Sequence, residues 1–272
     1  MSKILSRIDE AFSEKNADHY ELSLLISNKT FSMSAFDLKK EKYLLLESFS
    51  EPFFRIGDAD LFLKAKWKST RIIIENNVST LIPVQLLDQS KLKSYLSITV
   101  DLSENEKFFF NRLQQSEICN VFAVAEEMAN EIDVRYPQQP LFHLSTILID
   151  GIWMNYKNHI SGIRIFIYMR EEDFHLIIFN KKQLIFSNAY HILTPEDFIY
   201  YVIFVMEQLD LNPEETPVTL MGKISNDSRY YELLYQYIRH IDFISRNETS
   251  HFSYVFDDIP GHHFFPLLNP VK

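Results

Sequence analysis

The segment Asp257-Asp258-Ile259-Pro260-Gly261-His262-His263 carries two carboxylates and two imidazoles, side chains of the kind that hold metals. Adjacent His side chains point to opposite sides of an extended chain, however, and a polar turn ahead of an apolar tail explains the same residues. No metal site is therefore expected. Glu126-Glu127 and Glu171-Glu172-Asp173 offer paired carboxylates for proton transfer. A solvated face and a turn account for them more simply. The one cysteine, Cys119, lies in the apolar stretch Ile118-Cys119-Asn120-Val121-Phe122 with no His or Asp beside it, so it reads as a small buried hydrophobe. A single cysteine excludes an internal disulfide and fits a reducing compartment. The chain has no Gly-x-x-x-x-Gly-Lys-Ser/Thr, His-Glu-x-x-His, Cys-x-x-Cys or Gly-x-Ser-x-Gly pattern. No catalytic residue is assigned.

The elements that must position any site are easier to read. The chain has 272 residues, 46% of them apolar, which suffices for one large domain or two lobes with cores of their own. Phe and Tyr (23 and 14 residues) supply aromatic surface that has to be packed, which excludes general disorder. The net charge is −10, and no run of Lys or Arg exceeds a pair, so a phosphate-driven nucleic-acid surface is excluded. Residues 1–10 alternate charged and apolar types, unlike a signal peptide. The longest apolar run, Phe198 to Met206, is too short to span a bilayer. The expectation is a soluble cytoplasmic protein without stable membrane insertion.

Between Tyr20 and Phe49 the apolar residues Leu22, Leu24, Ile26, then Phe31, Met33, Ala35, then Tyr43 to Leu46 predict three antiparallel strands joined by tight turns. Asp58 can cap a helix carrying Leu61, Phe62, Ala65 and Trp67, and a strand follows at Arg71 to Ile74. The same order returns about 140 residues later. Ile163, Ile165 and Ile167 lead into the turn Met169 to Asp173. His175 to Phe179 runs back, and Asn180-Lys181-Lys182 turns into Gln183 to Phe186. Thr194-Pro195-Glu196-Asp197 opens a helix, with Thr194 as N-cap, and Val218 to Leu220 is the next strand. That helix is apolar on nearly every side, which predicts a buried element with Tyr200 and Tyr201 as packing residues. Ser228 to His240 reads as a helix and Ile241 to Ile244 as a strand. In the middle segment, residues 77–83 are extended, Pro83 can open a short helix Val84 to Asp88, and Tyr95 to Val100 and Lys107 to Asn111 suit strands. Glu126 to Tyr136 suits a helix stopped by Pro137, and His143 to Asn155 fits helix or strand, with helix favoured. The implied division is a first lobe with an insertion over residues 16–158, a second lobe over 159–250, and an apolar tail over 251–272 packed on the lobes.

A repeated mixed-sheet unit of this order is the plan of the actin-like ATPase fold, two ribonuclease-H-like lobes of α/β structure flanked by helices. Particular motifs sharpen the resemblance. Asn188-Ala189-Tyr190, Thr194 to Tyr201, Leu209-Asp210-Leu211-Asn212-Pro213, Leu220-Met221-Gly222-Lys223-Ile224 and the closing Ile259 to Leu268 resemble domain-of-unknown-function family 3822. That family is bacterial, with an actin-like fold and no assigned activity, and the resemblance covers essentially the whole chain. It implies two phosphate-binding hairpin turns, one per lobe, each with an Asp followed by glycines, and a third, glycine-rich turn for adenosine. The chain has five glycines, and none falls in the first hairpin turn, Ser27-Asn28-Lys29-Thr30, or in the second, Met169 to Asp173. Gly222 matches one glycine of the third, and Lys223 replaces the next. The leading expectation is a non-catalytic actin-like scaffold or adaptor with a degenerate nucleotide site, no cofactor and a protein partner. The alternative is an ATPase- or kinase-like protein that binds a nucleotide or phosphorylated ligand in a divergent cleft between the lobes. Lys29, Thr30, Arg170, Gly222 and Lys223 are then its cofactor-binding residues. The sequence carries no signal for oligomeric state.

Overall fold

The alternation between Tyr20 and Phe49 folds as expected in the computed structural model, which describes residues 3–53, 65–114, 116–158, 160–247 and 250–269. The chain divides into two units. One comprises Met1–Asp150, Asn247–Ile259 and Pro266–Lys272, and the other Gly151–Arg246 and Pro260–Phe265. The helix expected around residues 58–65 lies largely outside the described residues. Among the described residues no helix is long and apolar enough to cross a membrane.

The first unit begins with β1 (Lys3–Ile8), β2 (Tyr20–Ile26), β3 (Phe31–Asp37), β4 (Lys42–Phe49) and β5 (Ser69–Ile74). It continues with β6 (Ser79–Pro83), α1 (Leu92–Leu96), β7 (Glu106–Arg112), β8 (Ile118–Ala125), α2 (Glu126–Arg135) and β9 (Leu141–His143). Helix α3 (Leu144–Tyr156) carries the chain on toward the second unit. The main sheet has the order β1-β4-β3-β2-β5-β9. β2, β3 and β4 pair antiparallel, while β5 lies parallel to β2 and β9 parallel to β5. Leu22, Leu24, Ile26, Phe31, Met33, Ala35, Ile72 and Ile74 form a core with Met128, Ala129 and Ile132 of α2. The middle strands are buried on both faces, and serines on them must find partners. Ser32 Oγ donates to Ser48 Oγ at 2.8 Å, and Arg71 donates to Ser23 Oγ at 2.9 Å.

Three expectations for this unit need correction. The N-terminal residues form a strand, β1, which sequence alternation had not identified as one. It lies along β4 and holds buried Glu47 through Lys3 Nζ and Ser6 Oγ, each at 2.7 Å. Tyr95 to Val100 is not a strand, because Leu92, Tyr95 and Leu96 share a helical face on the small sheet β6-β8-β7, packing with Val121 and Ala123. The expected helix Val84 to Asp88 shrinks to one 3-10 turn, Val84–Leu86, and Asp88 starts a new turn by accepting the Ser90 N–H at 3.0 Å. Cys119 is buried on β8.

The second unit runs β10 (Ile163–Met169), β11 (Asp173–Asn180), β12 (Gln183–His191), α4 (Pro195–Gln208), β13 (Val218–Gly222), α5 (Arg229–Tyr237) and β14 (Ile241–Phe243). Its sheet order is β12-β11-β10-β13-β14. The sequence of pairings, two antiparallel and then two parallel, matches β4-β3-β2-β5-β9 of the first unit. α4 starts where Thr194 and Pro195 require. Thr194 Oγ1 accepts the Asp197 N–H at 3.1 Å, and Asp197 Oδ2 accepts the Thr194 N–H at 2.8 Å. Its burial is one-sided, contrary to expectation. Phe198, Val202, Val205 and Met206 face the core, while Tyr200 is 62% and Phe204 41% exposed, because the helix covers a single sheet face. After β14 the chain returns to the first unit, where β15 (His251–Phe252) pairs with β4. Ser34 Oγ there donates to the Leu267 carbonyl at 2.9 Å, in α6 (Phe265–Leu268).

Thr194→Ala should lower unfolding stability by about 1 kcal/mol, read from the urea midpoint, because it removes one half of a reciprocal cap. A second expectation concerns Asp150, which is buried in α3 and accepts the Gln114 N–H at 3.1 Å. Burial pushes its carboxyl up to about 6, against the pull of that hydrogen bond. A raised carboxyl binds its proton more tightly folded than unfolded, so its contribution to stability falls as pH rises from about 4 to about 6. Asp150→Asn should remove that fall and gain about 2–3 kcal/mol at pH 7, measured by denaturation at pH 4.5 and 7.

Candidate functional site

The candidate residues lie in or beside three turns, one in the first unit and two in the second. The first, between β2 and β3, is closed by its own serine. Ser27 N–H donates to the Thr30 carbonyl at 2.9 Å, while Ser27 Oγ accepts the Thr30 N–H at 2.9 Å and the Lys29 N–H at 3.3 Å. Ser27 Oγ also lies 3.1 Å from Thr30 Oγ1. A hydroxyl inside the turn thus occupies two of the backbone donors that a phosphate would use. Lys29 is exposed, and Thr30 is half-buried.

The other two turns adjoin in the second unit. Parallel pairing of β10 and β13 sets Met169 beside Gly222, and the Lys223 N–H donates to the Met169 carbonyl at 2.8 Å. The structure therefore brings Arg170, Gly222 and Lys223 to one end of this sheet, while Lys29 and Thr30 belong to the first unit. Both cations are neutralised locally. Arg170 Nη1 lies 2.9 Å from Asp173 Oδ1, and Lys223 Nζ lies 2.6 Å from Glu171 Oε1. The Gly222 N–H donates to the His262 carbonyl at 2.9 Å.

His262 is fixed from three sides. Its Nε2 donates to the Ile224 carbonyl at 2.7 Å, its ring packs 4.4 Å from Phe243, and its carbonyl holds Gly222. Burial lowers its affinity for a proton. Burial also pushes His263 down to about 4, helped by His262 and by the Lys223 charge. Both imidazoles are neutral at pH 7 and serve packing. Asp258 is bound by Arg7, with Nε 3.1 Å from Oδ1. Among the described residues no three His, Cys, Asp or Glu side chains converge as a metal site would require. Sequence reasoning named Ser27 as a turn residue and His262 within a polar turn, and missed the contacts by which each closes a turn. The Ser-x-x-Thr spacing of the first turn was a local signal for a hydroxyl-closed turn. His262 lies too far along the chain from Gly222 to have left one. Tyr201 stacks on Tyr190 at 4.7 Å as a packing residue, whereas Tyr200 does not pack inward.

Comparison with known structures identifies the fold. A protein of unknown function with an actin-like ATPase fold from Bacteroides thetaiotaomicron superimposes with a TM-score of 0.76 at 21% identity, covering 86% of this chain and 93% of that one. A chain of the PilM–PilN type IV pilus biogenesis complex gives a TM-score of 0.57 at 13% identity, covering 91% of this chain and 96% of that one. The fold is thus the actin-like ATPase fold, mixed α/β with sheets flanked by helices. No curated protein sequence matches the chain. Residues 9–241 match DUF3822, and the chain belongs to that family of proteins of unknown function.

Proposed function

We propose that this protein is a non-catalytic actin-like scaffold that works by binding another protein. The observation that carries the reading is the internal use of backbone donors in the first and third turns and of the cations Arg170 and Lys223. Ser27 takes the backbone donors of the first turn, Asp173 and Glu171 take the cations of the second and third, and His262 takes the Gly222 N–H. In the second unit a polyanion would have to displace these ion pairs and approach Glu171, Glu172 and Asp173, which disfavours it. The PilM–PilN assembly is a protein complex containing a chain of this fold, which supports partner binding as a use of the architecture by analogy.

Gly222 has a sufficient explanation without a ligand. Its φ is +81°, and a Cβ there would lie 2.2 Å from the Met169 carbonyl oxygen. Gly222→Ala should therefore cost at least about 2 kcal/mol of stability, whereas Gly162→Ala, with open space around it, should stay within about 0.5 kcal/mol. Urea unfolding of both variants measures the contrast.

The decisive test of the scaffold reading is a thermal-shift series with ATP, ADP and GTP, with and without Mg²⁺. No saturable rise in Tm is expected at millimolar nucleotide, whereas a ligand at 100 times its Kd would add about 2.7 kcal/mol. A saturable rise abolished by Arg170→Ala or Lys223→Ala would replace the scaffold with a nucleotide-binding protein using those residues.

A further inference from the structure

Among the described residues β12 is an edge strand, paired with β11 on one side only. Its residues, Gln183-Leu184-Ile185-Phe186-Ser187-Asn188-Ala189-Tyr190-His191, include no proline, lysine or acid, the usual means by which an edge is kept from pairing. A bulge at Ile185, where Ile178 pairs with Phe186 and Phe179 with Leu184, is the one blocking device, and Phe186–His191 beyond it is regular. Above this edge lies the outer side of α4. Tyr201 stacks on Tyr190 of β12, and Tyr200 stacks on Phe204 at 6.0 Å. Leu193, between strand and helix, is 83% exposed. Backbone pairing capacity and an apolar stripe therefore sit side by side on one rim of the second unit.

The charges around this rim select the occupant. Lys181 and Lys182 are exposed at the start of β12. At its far end the Glu172 carbonyl accepts the Ile192 N–H, and exposed Glu172 and Glu196 flank that end, Glu196 also lying 3.8 Å from exposed Arg229 in a loose ion pair. A strand basic at one end and acidic at the other is complementary to itself when reversed. We infer that a second copy of this chain pairs with it antiparallel through β12, joining the two five-stranded sheets across a two-fold axis. Centred on Phe186–His191, this pairing brings Lys181 and Lys182 of each copy toward Glu196 of the other. It also sets the two α4 helices on the same face of the joined sheet, so that Leu193, Tyr200 and Phe204 of the copies meet across the axis. A helical partner would cover the stripe and leave the outward N–H and C=O groups of β12 unpaired, whereas a strand satisfies both.

The test is sedimentation equilibrium of the full chain over a range of micromolar concentrations, with far-UV circular dichroism to confirm folding. The wild type should show a monomer–dimer equilibrium. Tyr200→Glu, at an exposed position, should weaken the dimer by at least about tenfold without loss of helix signal. Lys181→Glu with Lys182→Glu, and separately Glu172→Lys with Glu196→Lys, should each weaken it, and mixing these two double variants should restore a mixed dimer. A chain that stays monomeric overturns the inference. So does a dimer unchanged by Tyr200→Glu, or a mixture of charge-reversed variants that shows no recovery.

Discussion

The parallel register of β10 against β13 is the constraint from which the second unit's turn region follows. It sets Met169 opposite Gly222 at the point where both strands end. The Met169 carbonyl then approaches too closely for any side chain and accepts the Lys223 N–H, so the third turn must open on a glycine with positive φ. The same register carries the acidic turn of β10 and β11 alongside Lys223, which lets Glu171 reach its ammonium group. With Arg170 held by Asp173, both cations of the region are paired, and three carboxylates against two cations leave it net negative. The Gly222 and Lys223 N–H groups and both cations are thus satisfied within the chain.

The first unit solves a different problem. Strands buried on both faces usually carry apolar residues throughout. Here Leu22, Leu24, Ile26, Phe31, Met33, Ala35, Leu45 and Phe49 face the α2 core, while the other face mixes Ser23, Ser32, Ser34 and Ser48 with buried Leu25, Phe36, Leu44 and Leu46. Each hydroxyl that is buried costs free energy unless bonded, and the sheet supplies bonds from neighbouring strands, from Arg71 and from the returning C-terminal segment. The serine rows and the tail are in that sense one design.

Much of the fold was legible because short-range patterns decide it. Period-two alternation located β2 to β4 and β10 to β12, and Thr194-Pro195-Glu196-Asp197 located the start of α4. Failures came where a distant partner decides. β1 is exposed and charged along its length and becomes a strand because β4 offers an edge and Glu47 needs Lys3 and Ser6. Tyr95 follows a helix because a three-stranded sheet, two of whose strands come later in the chain, receives that face. The apolar stripe of α4 was read as burial because sequence periodicity reports composition, not which sides a neighbour covers. For the site, the positions of Lys29, Thr30, Arg170, Gly222 and Lys223 in turns were legible. Their internal partners were not, except within the first turn, because Gly222 and His262 meet through long-range folding.

The return of the chain to the first unit also sets an order of events during synthesis. β4 receives β15, Ser34 waits for the Leu267 carbonyl, and Arg71 reaches the Asn269 carbonyl at 3.4 Å. The residues that begin this unit leave the ribosome long before those that complete it, and the whole second unit is made in between. Until residues 251–269 are made, β4, Ser34 and Arg71 lack the contacts that this segment supplies.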